Sequence, residues 1–196
     1  MYILVTGENG YLARPIIEQL QHGNHIIEYR EDVRKHKQFN QIDLIIHLAS
    51  PSDRRGFENK HKTITTIING TINMVELANK HKAKLIFAST MGVHTFNIDD
   101  EYCSCKRAME HYIKVCCKRY LILRIPRVYS SCRSKGLIAS LKENDVPDSD
   151  LDKSLEYIDL SEFIEQFKNI LHLNNITYEF NNLTQNTISE IRSIYI

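Results

Sequence analysis

Tyr102 and Lys106, four residues apart, are the pair in this 196-residue chain whose types and spacing best suit acid–base chemistry. On a helix that spacing puts both side chains on one face. A phenol with an ordinary pKa near ~10 is a poor base at neutral pH. A neighbouring ammonium favours the phenolate and brings the group toward the working range. Of the ten tyrosines, Tyr102 alone has a lysine four residues on; taken by itself, the pair could still be coincidence.

Its neighbours add weight. An apolar run at 84–88 ends in Ser89 and Thr90. A hydroxyl at the C-terminal end of a parallel strand faces the ligand crevice of an open α/β sheet, so Thr90 can hold a substrate oxygen beside Tyr102. The alternative is that Ser89 and Thr90 simply end the strand. His47-Leu48-Ala49-Ser50 ends another apolar run, where small Ala49 and Ser50 leave room for a ligand and His47 reads as a structural histidine.

A second candidate lies at the N-terminus. Thr6-Gly7-Glu8-Asn9-Gly10-Tyr11-Leu12-Ala13 stands between a strand-like run and a helix-like one. In that context the first glycine permits a tight turn and the second lets backbone approach a pyrophosphate. The small third residue, here Ala13, lets helix and strand pack closely. Helix N-terminal amides then face the phosphates. The next strand ends at Arg30, followed by Glu31 and Asp32. An arginine there suits the 2′-phosphate of NADP and an acid suits the ribose of NAD, so Arg30 favours NADP. Asp32 could instead lie beside the adenine, or both could be exposed loop charges.

The elements that must position these residues follow from hydrophobic periodicity. Strands are expected at 2–6, 25–29, 42–48, 84–88, 120–125, 155–158 and 176–180. Helices are expected at 11–22, within 57–81, at 101–118, 135–142, 160–173 and 188–195, the last capped by Asn186 or Thr187. Residues 144–153 read as a loop. Alternating strands and helices imply a doubly wound α/β fold with a parallel sheet. The expected division is a dinucleotide-binding Rossmann part at 1–128, its sheet completed from within 155–180, and a reduced substrate-binding part at 129–196.

Composition narrows the function classes. Net charge is +1, and the basic groups Arg54-Arg55 and 34–37 are short, which argues against nucleic acid as a partner. No run approaches the ~18 apolar residues of a membrane span, and the N-terminus has no signal-peptide pattern, so a cytoplasmic location is expected. The five cysteines, Cys103, Cys105, Cys116, Cys117 and Cys132, lack metal-site or disulfide-framework spacing, and no metal is expected.

In combination and order, the segments TGENGYLA (6–13), HLAS (47–50), NGTINMVELA (69–78), FAST (87–90), YCSCKRAME (102–110) and LRIPRVYS (123–130) resemble the extended short-chain dehydrogenase/reductases. These are the NAD(P)-dependent nucleotide-sugar epimerases and dehydratases. Weaker echoes follow in YIDLSEF (157–163) and YEFNNLTQNTISEI (178–191). The resemblance implies that Gly7, Asn9, Gly10, Tyr11 and Leu12 cradle the pyrophosphate and that Arg30 sits by the adenosine ribose. Leu48, Ala49 and Ser50 would line the path from adenine to nicotinamide, which Pro126 and Val128 would flank. Thr90 would be the catalytic hydroxyl, Tyr102 the acid/base and Lys106 the ligand of the nicotinamide ribose. It also implies a homodimer through helices near 57–81 and 101–118.

The departures fall in the substrate part. The stretches between Tyr129 and Tyr157 and between Thr90 and Tyr102 are short, and Ile67 stands where the family pattern has Asn. The implied substrate is a sugar nucleotide or related keto-sugar, with a lean toward an NADPH reductase. A dehydratase fits less well, since no acid follows Thr90 in Thr90-Met91-Gly92. The rival reading is a dinucleotide-binding module without turnover, such as a redox-sensing partner subunit.

Overall fold

Five apolar runs and a sixth, half-buried strand assemble side by side. β1 (Tyr2–Thr6), β2 (His25–Tyr29), β3 (Leu44–His47), β4 (Lys84–Thr90), β5 (Tyr120–Ile125) and β8 (Ile176–Glu179) form one sheet in the order β2-β1-β3-β4-β5-β8. Every pairing in it is parallel. Parallel strands covered on both faces read as continuous apolar runs rather than alternating ones. Ile3-Leu4-Val5, Ile45-Ile46, Leu85-Ile86-Phe87 and Leu121-Ile122-Leu123 are accordingly buried throughout. The computed structural model describes residues 1–51, 59–95 and 100–196. Arg54, Arg55 and Phe57, where the amphipathic stretch was expected to start, lie outside them.

Two helical layers cover the sheet. α1 (Ala13–Leu20) and α5 (Leu160–Ile170) pack Ile16, Leu20, Phe163 and Phe167 against one face. α2 (Lys60–His81) and α3 (Glu101–Cys116) pack Ile67, Met74, Ala78, Met109 and Ile113 against the other. No described helix is long and apolar enough to cross a membrane. The chain leaves β1 toward β2 on one side and continues to β3 on the other. The crevice for a ligand in such a sheet opens at this reversal, beyond the strands' C-terminal ends.

The connection from β2 to β3, residues 30–43, has no helix. α2 holds it in place instead. Val33 is buried against Gly70, where a Cβ would stand 2.7 Å from the Val33 side chain. Asn73 donates to the Val33 carbonyl at 2.9 Å. The loop is thereby anchored at Val33, between Asp32 and Arg34.

A second, three-stranded sheet was not anticipated. β6 (Arg127–Tyr129) pairs in parallel with β7 (Ser154–Asp159), which pairs antiparallel with β9 (Thr184–Thr187). The strand expected at 155–158 therefore belongs here, whereas the one expected at 176–180 completes the main sheet. With α4 (Leu137–Lys142) and α6 (Ile188–Tyr195) this sheet encloses a third core of Tyr129, Ile138, Leu141, Tyr157, Ile188 and Ile191. Thr187, not Asn186, is the N-cap of α6. Its hydroxyl accepts from the Glu190 amide, and the Glu190 carboxylate accepts from the Thr187 amide, a capping box.

Candidate active site

The glycine turn is dictated by sterics. Gly7 has φ +71°, and a Cβ on it would lie 2.8 Å from the Ala49 amide nitrogen. Both facts require glycine. Gly10 donates to the Gly7 carbonyl at 2.8 Å, and a Cβ on Gly10 would stand 2.9 Å from that same oxygen. Ala13, fully buried, donates to the Gly10 carbonyl at 3.0 Å. The N-cap residue of α1, Leu12, supplies no side-chain cap. Within the first turn of α1, Pro15 has no amide, and those of Ala13 and Ile16 are bonded to the Gly10 and Leu12 carbonyls. An anion therefore meets the remaining amides of the glycine turn, and the open cradle fits a pyrophosphate.

A cleft of about 1690 Å³ runs from this turn across the ends of β3 and β4 to the second sheet. Gly7, Asn9, Gly10, Tyr11, Leu12, Arg30, Asp32, Leu48, Ala49, Ser50, Thr90, Tyr102, Pro126 and Val128 all line it. Of the residues singled out in the sequence, Lys106 does not.

Where the cleft meets the end of β2, Arg30 is largely exposed and pairs with Glu28 at 2.7 Å. Asp32 accepts from the Arg34 amide at 3.0 Å and from its side chain, which holds the Asp32 carboxyl down at about 2. Arg34 also lines the cleft and donates to Thr65 Oγ1 at 3.1 Å. In the sequence Arg34 reads only as part of the short basic run 34–37, and its signal as a cleft residue is a guanidinium two residues after Asp32.

At the end of β4, Thr90 Oγ1 accepts from the Gly92 amide at 3.2 Å as the strand passes into a short 3₁₀ turn, Met91–His94. A Cβ on Gly92 would stand 2.6 Å from Cys103 Sγ. The missing side chain lets the turn seat against the first turn of α3. That helix starts at Asp100, whose carboxylate accepts from the Cys103 amide at 2.9 Å. This seating brings Thr90 and Tyr102 to one cleft. Tyr102 is hydrogen-bonded to Ser50.

The expected electrostatics of the pair need correction. Burial pushes the Tyr102 phenol up to about 12, against the lowering by Ser50. Lys106 is 1% exposed, and burial brings its amine down to about 7. Its Nζ donates to the Ala88 carbonyl at 2.6 Å and lies 4.6 Å from the Phe87 ring centroid and 5.6 Å from that of Tyr102. Spacing puts the two side chains together, as expected. Desolvation is the largest influence on each group, and the ammonium is not among the groups that shift the phenol.

Two buried polar groups hold the floor of the site. His47 sits between Thr6 Oγ1 (2.7 Å) and Thr71 Oγ1 (3.3 Å), and burial lowers it to about 3, so it stays neutral. Glu110 accepts from Arg124 Nη2 at 2.7 Å and Ser89 Oγ at 2.5 Å. This buried ion pair ties α3 to β4 and β5, one helical turn beyond Lys106, and the sequence reading missed it. All five cysteines are free thiols. Among the described residues, no cluster of three His, Cys, Asp or Glu could hold a metal.

Comparison with known proteins gives concordant matches. Residues 3–144 match the NAD dependent epimerase/dehydratase family. UDP-glucuronic acid decarboxylase 6 of Arabidopsis thaliana is 28% identical over 119 residues, 48% of this chain and 35% of that protein. The chain thus spans about a third of the length of the curated relatives it matches. Among solved structures, the UDP-glucose 4-epimerase of Thermus thermophilus in complex with NAD superposes with a TM-score of 0.82 at 19% identity, covering 98% of this chain and 81% of that one. A dTDP-4-dehydrorhamnose reductase from Bacillus anthracis, in complex with NADP, gives 0.77 at 17% identity, covering 98% and 78%.

Proposed function

Given that the chain belongs to the NAD-dependent epimerase/dehydratase family, we propose that it is an NAD(P)-dependent oxidoreductase or epimerase of the extended short-chain type, acting on a sugar nucleotide or related keto-sugar. One observation carries this reading: the glycine turn, Thr90 and Tyr102 line a single cleft at the reversal point of the sheet.

Gly7, Asn9, Gly10, Tyr11 and Leu12 cradle the pyrophosphate. Arg30 and Asp32 meet the adenosine ribose. NADP is favoured over NAD, because Arg30 offers a cation and the Asp32 carboxylate is already engaged by Arg34. Leu48, Ala49 and Ser50 line the way to the catalytic end, and Pro126 and Val128 flank the nicotinamide. When bound, the nicotinamide supplies hydride exchange with a substrate carbon. Thr90 steadies the oxygen on that carbon. Tyr102 exchanges a proton with it, and its raised pKa suits the acid role, giving a proton to a keto oxygen at neutral pH. Ser50 orients the Tyr102 hydroxyl. Lys106, beside the Tyr102 ring but outside the cleft lining, is assigned the nicotinamide ribose, which its amine would reach only on leaving the Ala88 carbonyl. The working form on this reading is a cytoplasmic homodimer joined through α2 and α3.

The test is to mix the purified chain with reduced or oxidised NADP or NAD and a panel of keto-sugar nucleotides and sugar nucleotides. The reduced nicotinamide signal follows net reduction, and chromatography of the sugar products follows redox-neutral epimerisation. Turnover with at least one member, faster with NADPH, is expected. Cofactor binding with no turnover on any member would reduce the chain to a dinucleotide-binding module. Absence of cofactor binding would overturn the reading entirely.

A further inference from the structure

We propose that Arg133, from the second-sheet part of the chain, is a diphosphate ligand that closes over the glycine turn from the opposite wall of the cleft. Arg133 lines the cleft together with Tyr11. Its guanidinium carbon lies 4.7 Å from the Tyr11 ring centroid. The Tyr11 hydroxyl is tied to Ser130 Oγ at 2.7 Å, so the ring and the guanidinium form one stack between the turn and the segment after β6.

The other contacts of Arg133 orient it without neutralising it. Nη1 donates to the Val128 carbonyl, and Nε donates to the Lys135 carbonyl at 3.2 Å. No carboxylate pairs with Arg133 among the described residues. By contrast, Arg30, Arg34 and Arg124 pair with Glu28, Asp32 and Glu110. Burial is costly enough for this cation to pull its pKa down. A partly desolvated guanidinium without a counter-charge is unfavourable until an anion arrives, and its planar fork matches phosphate oxygens in a bidentate way. Tyr11 itself belongs to the glycine turn, so the guanidinium stands beside the cradle that faces the same cleft.

The inference rests on the dinucleotide and sugar-nucleotide reading above, which brings two diphosphates to this cleft: one in the cofactor and one in the substrate. The test titrates ADP-ribose, for the cofactor, and UDP, for the substrate, against the wild-type chain, Arg133→Gln and Arg133→Lys. Glutamine keeps a donor for the carbonyls of Val128 and Lys135 and removes the charge. We expect the affinity for at least one of these ligands to fall about 10- to 100-fold in Arg133→Gln, with partial recovery in Arg133→Lys. The ligand affected identifies the source of the diphosphate. Should Arg133→Gln not fold, Arg133→Lys decides alone, because loss of the bidentate fork should still weaken binding several-fold. A wild-type chain that binds either ligand, with both variants binding it equally well, would overturn the role of Arg133 and leave the functional reading standing. A wild-type chain that binds neither would overturn both.

Discussion

The two ends of the cleft are built on opposite principles. At the glycine turn, a few consecutive residues do the work with backbone alone, and each is fixed by a local steric demand: Gly7 by its φ and by Ala49, and Gly10 by the Gly7 carbonyl. At the other end, Ser50, Thr90 and Tyr102 arrive from the end of β3, from β4 and from α3, with Lys106 buried beside the Tyr102 ring, and burial shifts the ionisation of Tyr102 and Lys106. A turn can be read from the residues that form it. The ionisation of a side chain depends on everything packed around it, and spacing is silent about that.

Substitutions at each end sharpen this contrast. The largest effect is expected at Gly7. Gly7→Ala adds a Cβ 2.8 Å from the Ala49 nitrogen in a left-handed backbone, which should cost about 2–4 kcal/mol. Thermal unfolding and NADPH titration should both register it; a variant of wild-type stability and affinity would break the steric half of the comparison.

Burial at the floor of the site should show as a pH dependence of stability. His47 takes up a proton near 6.5 when unfolded but only near 3 when folded. Below 6.5 the unfolded chain therefore binds the proton that the folded chain refuses, and stability falls as pH drops toward 3. The expected loss is about 3 kcal/mol between pH 6.5 and about 4. Urea unfolding across that range should show a steeper decline for the wild type than for His47→Gln, and parallel profiles would refute the neutral, buried assignment.

The smallest effect belongs to exposed Arg30. Arg30→Ala should lower the preference for NADPH over NADH by no more than about 5-fold, since its charge is solvated and shared with Glu28. Competitive titration measures this directly. A much larger change would make the rim of the cleft as decisive as its turn.

Much of the fold was legible because parallel strands announce themselves as apolar runs. β1, β2 and β5 begin and end where their residues change character. β6 and β9 were not legible. The first is three residues long, and the second is Thr184-Gln185-Asn186-Thr187, polar throughout and defined only by its pairing with β7. Among the residues lining the cleft, those in turns and at strand ends were legible in the sequence. Arg34, Arg133 and the Glu110–Arg124 pair were not, since each matters through a partner or a wall that spacing does not reveal. Tyr102 and Lys106 lie side by side as their spacing implies, but burial raises the phenol and lowers the amine, because a spacing of four says nothing of the water removed when α3 docks.

The decisive measurement is on Tyr102→Phe, with turnover and dinucleotide affinity determined on the same preparation. Removing the proton-bearing oxygen while keeping the ring should lower turnover about 10²- to 10⁴-fold and leave cofactor affinity nearly unchanged. A variant that keeps most of its turnover would show that the proton comes from elsewhere, and the catalytic reading of this cleft would fall with it.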